Sequence, residues 1–135
     1  MRVSLDTNIW IFGVIGTDPD CERILFNLDK FEVILPDQVR RELERNLSDY
    51  DMKQFYHFLL RFGVQVDFSP VPRDYIVAFE GKGLKKGDAE IGAFCEWRQI
   101  EVIVSDNRDF LRGLSPEHFF DVLSPRQFCD AFNLL

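Results

Sequence analysis

Four acids in this chain stand where, taken together, they could do chemistry. Asp6, in VSLDTNIW, follows a short apolar strand (Val3–Leu5) and precedes an apolar run that ends at Ile15. Asp106, in VSDNRDF, follows a second apolar strand, EVIVS. Glu42, in VRRELERNL, comes just before Leu43 on the apolar face of a helix, and Asp88 opens the helix GDAEIGAFCEW. Each has an ordinary reading alone. Asp6 and Asp106 suit turns or caps, Asp88 suits an N-cap, and Glu42 suits a solvated helix face. A charge among apolar side chains, however, needs an opposite charge, a hydrogen-bond network or a metal. If the four converge, carboxylates about 4 Å apart repel by roughly 4 kcal/mol per pair at an effective dielectric near 20. A cation among them removes that cost. An all-oxygen donor set without His or Cys suits Mg²⁺ or Mn²⁺ better than Zn²⁺. A hard cation held by carboxylates in turn suits phosphodiester hydrolysis, in which it activates water and neutralises charge on the phosphate.

The elements that must position these acids alternate along the chain. After Val3–Leu5, TDPDCERILFNL starts a helix with Thr17 or Asp18 as cap and Pro19 in its first turn. FEVIL (Phe31–Leu35) is a strand that stops at Pro36. PDQVRRELERNL is a helix with Asp37 as candidate cap and Val39, Leu43 and Leu47 on one face. DMKQFYHFLLRF is an amphipathic helix, VQVDF a strand and PRDYIVAFE a short helix that leads into the Gly/Lys loop GKGLKKG. DNRDFLRGL begins as a loop with a helical turn, and PEHFF, DVLS and PRQFCDAF complete the chain. Strands alternating with helices predict an α/β domain, a mainly parallel sheet flanked by helices on both faces. Ligands bind such sheets outside the carboxyl ends of the strands, where Asp6 and Asp106 both fall.

The totals limit the alternatives. A chain of 135 residues with 46% hydrophobic and 29% charged side chains is expected to form one domain, residues 1–135. Fourteen Phe residues are many, and a homodimer or partner surface is expected to use some of them. No apolar run approaches the roughly 20 residues that span a bilayer, and no signal-peptide pattern precedes the first strand, so a cytoplasmic protein with no membrane contact is expected. Cys21, Cys95 and Cys129 lack a C-x-x-C spacing, and His57 and His118 are isolated, which disfavours disulfide, zinc and histidine-metal sites. Net charge is −7, which argues against a basic groove that binds nucleic acid. Any polyanion would need local cations. Lys82, Lys85 and Lys86 in the Gly-rich loop, with Arg40, Arg41 and Arg108, are the candidates.

The segments LDTNIWI, VRRELERNL, KGDAEIGAF and VSDNRDF, in this order and approximate spacing, resemble a PIN-domain ribonuclease, closest to the small single-domain VapC-like toxins. The resemblance runs from residue 3 to about residue 130. It implies that Asp6, Glu42, Asp88 and Asp106 form an acidic site, with Asp6, Asp88 and Asp106 holding one or two Mg²⁺ or Mn²⁺ ions and Glu42 binding directly or through water. Thr7 and Asn8 match the polar residues that support the first acid, and Ser105 matches the Ser/Thr before the fourth. Asn107 and Asp109 remain alternatives to Asp106. The resemblance further implies endoribonuclease activity that leaves a 5′-phosphate and a 3′-hydroxyl, an RNA substrate, single-stranded or looped, and an antitoxin protein as possible partner. A haloacid-dehalogenase-like phosphatase would need a second Asp where Asn8 stands. A response-regulator receiver would need an early acidic pair and a late strand-end Lys. A catalytically silent PIN-like module that binds a protein is the alternative from another class.

Overall fold

The computed structural model describes residues 1–107 and 119–135. Its strands are β1 (Arg2–Leu5), β2 (Glu32–Pro36), β3 (Gln65–Asp67), β4 (Val102–Val104) and β5 (Asp121–Leu123). They form one sheet in the order β3-β2-β1-β4-β5, and every pairing is parallel. The expected α/β architecture is present. Parallel strands buried on both faces read as continuous apolar runs rather than alternating ones, as the VIV of β4 shows.

The helices are α1 (Thr7–Ile15), α2 (Pro19–Leu25), α3 (Asp37–Asn46), α4 (Asp49–Phe62), α5 (Arg73–Glu80), α6 (Lys86–Trp97) and α7 (Pro125–Ala131), with a 3₁₀ turn at Leu28–Lys30. From β1 the chain steps outward through β2 to β3, then returns past β1 to β4 and β5. Right-handed crossovers therefore carry α1–α4 over one face and α5 and α6 over the other. The packing agrees: α1 lies against α2, α3 and α4, and α5 against α6.

Local signals set several boundaries. Asp18 caps α2, accepting from the backbone N–H of Asp20 at 2.8 Å and of Cys21 at 3.2 Å. Ser48 caps α4, and Gly63, at φ 65°, ends it. Ser124 and Gln127 close a reciprocal capping box on α7. Two expectations are corrected. Asp37 does not cap α3: it is the first helical residue, Pro36 precedes it, and its carboxylate is engaged by Arg40 and Arg41. Asp88 does not cap α6 either. That helix begins two residues earlier at Lys86, which shortens the Gly/Lys loop and puts Asp88 in the first turn.

Val39, Leu43 and Leu47 are all buried, as their spacing predicts. The core joins them to Val3 and Leu5 of β1, Ile103 and Val104 of β4, and Trp10, Phe55 and Phe94 from the helices. Trp10 meets Phe55 edge-on, ring centroids 5.2 Å apart. Among the described residues no helix is long and apolar enough to cross a membrane.

Candidate active site

The chain reverses its direction of travel across the sheet between β1 and β4, and their carboxyl ends open a crevice there. Leu5 pairs with Val104, so Asp6 and Ser105 emerge side by side. Asp6 serves as N-cap of α1, its Oδ1 accepting from the Thr7 backbone N–H at 2.8 Å. Its Oδ2 accepts from the Ser105 hydroxyl at 2.9 Å, and both residues are buried. Burial pushes the Asp6 carboxyl up to about 6, and the charges of Asp88 and Glu42 push in the same direction. The bonds from Ser105 and Thr7 oppose the shift without cancelling it. This pattern marks carboxylates gathered at one place.

Helix α3 contributes Glu42. Its Oε2 accepts a short hydrogen bond from the Thr7 hydroxyl, and its Oε1 accepts from Gln38 Nε2 at 3.1 Å. The same Gln38 nitrogen reaches the Gly87 carbonyl at 3.2 Å and so ties α3 to the start of α6. Helix α6 contributes Asp88, whose Oδ2 and Oδ1 accept from Asn107 Nδ2 at 3.2 and 3.4 Å. Asn107 is itself anchored, its backbone N–H donating to the Ser105 hydroxyl oxygen at 3.1 Å.

Together these residues line a cleft of about 270 Å³ that includes Asp6, Thr7, Glu42, Asp88 and Asn107. Asn8 is exposed at its edge, and Ile11 and Ile91 supply apolar wall. Among the described residues, no Lys, Arg or His lines the cleft. That donor set fits a hard divalent cation, for which one or two carboxylates and several waters suffice. Among the described residues, these carboxylates line one cleft but no three acid, His or Cys side chains converge closely enough to form a ready-made metal cage.

Asp106 does not join this cleft. It is exposed and is not among the lining residues. The reason is the two-residue alternation of an extended chain. Ser105 turns in toward Asp6, Asp106 turns out, and Asn107 comes back over Asp88. Asp109 and Arg108 lie outside the described residues, as does the helical turn expected after Asn107. Among the remaining cations, Lys85 is exposed at the loop before α6, and Lys86 begins that helix. Lys82 sits against the Phe79 ring, 5.0 Å from its centroid, in a separate pocket with Asp74 and Glu96. Arg40 is held by Asp37 and Glu44, both at 2.7 Å, and Arg41 by Asp37 at 3.1 Å.

Two polar residues at the cleft escaped the sequence reading: Asn46, which lines it, and Gln38, which bonds Glu42 and the Gly87 carbonyl from beside it. The signal was available: Gln38, Glu42 and Asn46 recur at a spacing of four on α3, hence on one helical face.

The sequence model of the PIN domain family matches residues 3–113. No curated protein matches the chain in sequence. Solved structures share its fold, among them these two. One is VapBC2 from Rickettsia felis bound to a DNA fragment from their promoter, with a TM-score of 0.70 and 19% identity, covering 92% of this chain and 98% of that one. The other is PAE2754 from Pyrobaculum aerophilum, with a TM-score of 0.61 and 13% identity over 98% of each chain.

Proposed function

The chain belongs to the PIN domain family, and from that premise we propose that it is a metal-dependent ribonuclease, the toxin of a toxin–antitoxin pair. One observation carries the reading. Three carboxylates, Asp6, Glu42 and Asp88, line a single cleft at the carboxyl edge of the sheet, with no cationic side chain among its described lining residues. A site built to bind an uncharged ligand would have no use for that arrangement, since buried like charges cost stability.

Asp6 and Asp88 would hold Mg²⁺ or Mn²⁺, with the Asn107 amide oxygen and Glu42 in support, directly or through water. When bound, such an ion supplies Lewis-acid activation of water and neutralises charge on the phosphate. The chain's own groups do the positioning. Ser105 and the Thr7 N–H fix the Asp6 carboxylate in one orientation. Asn107 holds Asp88, and Thr7 with Gln38 holds Glu42. Above pH 6 Asp6 is ionised and available to a cation. Lys85, exposed two residues before the cleft residue Gly87, would meet an RNA backbone, and hydrolysis would leave a 5′-phosphate and a 3′-hydroxyl. Asp106 remains a candidate for a further ligand, as does Asp109, which lies outside the described residues.

The antitoxin partner and a homodimer belong to the same proposal. Exposed apolar side chains on α4, with Leu60 86% exposed, are suited to such contacts. The test is cleavage of single-stranded RNA by the wild-type chain and by Asp6→Asn, each in Mg²⁺, Mn²⁺ and EDTA. Cleavage only by wild type, and only with metal, is the expected result.

A catalytically silent PIN-like module is the second reading. It is favoured by the lack of a ready-made three-donor group among the described residues. RNA left intact in every condition, with Mn²⁺ leaving the melting temperature unmoved, would decide for it.

A further inference from the structure

We propose that the pocket beside the acidic cleft is a subsite for a nucleobase of single-stranded RNA, flanking the phosphate to be cleaved. This rests on the ribonuclease reading and adds to it where the substrate lies. The pocket, about 390 Å³, opens at the carboxyl ends of β2 and β3: Pro36 ends β2, and Phe68 follows Asp67, the last residue of β3. It adjoins the cleft through Gln38, which lines the pocket while its amide nitrogen bonds the cleft residues Glu42 and Gly87. A strand of RNA leaving the cleft on that side crosses Gln38 and meets Phe68.

Phe68 is 67% exposed. Its ring is nonetheless held in place, because the Arg40 guanidinium lies over it, 5.5 Å from the centroid. Arg40 is itself fixed by Asp37 and Glu44. A supported, solvent-facing aromatic ring is a platform on which any base can stack, since every base has a π-face. Arg41 stands at the rim, its side chain 61% exposed. Among the described residues only its Nε is engaged, by Asp37, which leaves the outer nitrogens of its guanidinium to meet a backbone phosphate. Glu90 in the same pocket makes no hydrogen bond or ion pair among the described residues. A carboxylate only accepts, which suits the N–H edge of a base and argues against an anion as the occupant.

The experiment uses the full chain carrying Asp88→Asn to prevent cleavage, a short fluorescein-labelled single-stranded RNA, and an abasic copy of that RNA. Adding Phe68→Ala is expected to weaken binding of the base-bearing RNA about 5- to 100-fold, the range that loss of one stacked base produces. Binding of the abasic copy should not change, and Phe68→Tyr should restore the difference between the two. An unaltered melting temperature confirms that the exposed ring is not needed for folding. Equal loss on both oligomers, or none on either, overturns the subsite. The ribonuclease reading is judged separately by whether wild type cleaves the same RNA in Mn²⁺. Binding to neither oligomer, with no cleavage by wild type, would remove both.

Discussion

The Ser105 hydroxyl, at the end of β4, donates a 2.9 Å hydrogen bond to Oδ2 of Asp6 at the end of β1. The Thr7 backbone N–H takes the other oxygen at 2.8 Å. The carboxylate is thus held in one orientation, yet burial still pushes its pKa up to about 6. Orientation and charge are therefore in tension, and a bound cation would relieve it as protonation does.

Asp6→Asn should stabilise the metal-free protein. The folded chain binds the Asp6 proton more tightly than the unfolded chain, whose carboxyl has its ordinary value of 3.8. Below about pH 4 both forms are protonated and there is no penalty. Through the window from 3.8 to about 6 the penalty grows, and above it the cost is on the order of 3 kcal/mol. Urea unfolding in EDTA should show the variant more stable at pH 8 by up to that amount, with the gain vanishing toward pH 4. A variant no more stable at pH 8 would show that the buried charge is compensated within the protein.

Mn²⁺ should offset most of that difference. An ion that binds the native cleft and not the unfolded chain stabilises by mass action, about 2.7 kcal/mol at a hundredfold excess over Kd. Melting curves should rise with Mn²⁺ for wild type, and much less for Asp6→Asn and for Asp88→Asn. A wild-type curve indifferent to millimolar Mn²⁺ would count against the cleft as a cation site.

Asn107 should matter more than Asp106. Asn107 holds the Asp88 carboxylate at 3.2 Å, whereas Asp106 is exposed. Residues that support a metal ligand typically contribute about 10- to 100-fold to affinity or activity. Asn107→Ala should lower turnover on RNA by that factor, and Asp106→Asn should stay within a few-fold of wild type. The opposite order would show that Asp106 swings into the site when RNA or metal binds.

Lys85 should act as a phosphate contact. Each such contact to a single strand contributes about 0.7 to the slope of log affinity against log salt. Lys85→Ala should reduce that slope by roughly this amount while leaving the Mn²⁺ effect on melting intact. An unchanged slope would return Lys85 to ordinary surface charge.

Gly13→Ala should destabilise the fold even though alanine favours helices. An added Cβ would stand 2.5 Å from Leu25 Cδ1 and 3.1 Å from the Cys21 carbonyl oxygen, where α1 crosses α2. The helical gain is about 1 kcal/mol at most, and overpacking costs about 1–3. A net loss of about 1 kcal/mol is expected by denaturant unfolding, and a gain would mean that α2 can move aside.

Much of this architecture was legible in the residues. Apolar runs such as VIV specify buried parallel strands, and Val39, Leu43 and Leu47 specify the inner face of α3, because burial follows a local period. Asp6 and Ser105 were each legible as a strand end, but their meeting across 99 positions was not. Gln38, Glu42 and Asn46 carried a readable spacing that went unread. Other features had no local signal. Asp88 looks like a helix cap, but the helix starts two residues sooner, with Lys85 preceding it and no side-chain cap at all. The choice among Asp106 and Asn107 depends on where the chain turns after β4. That turn is set by the bonds of Asn107 to Ser105 and to Asp88, a helix away. Periodicity assigns each side chain a face of its own element. Which faces meet, and so which carboxylates share a cleft, is decided only when the sheet orders its strands and brings distant charges together.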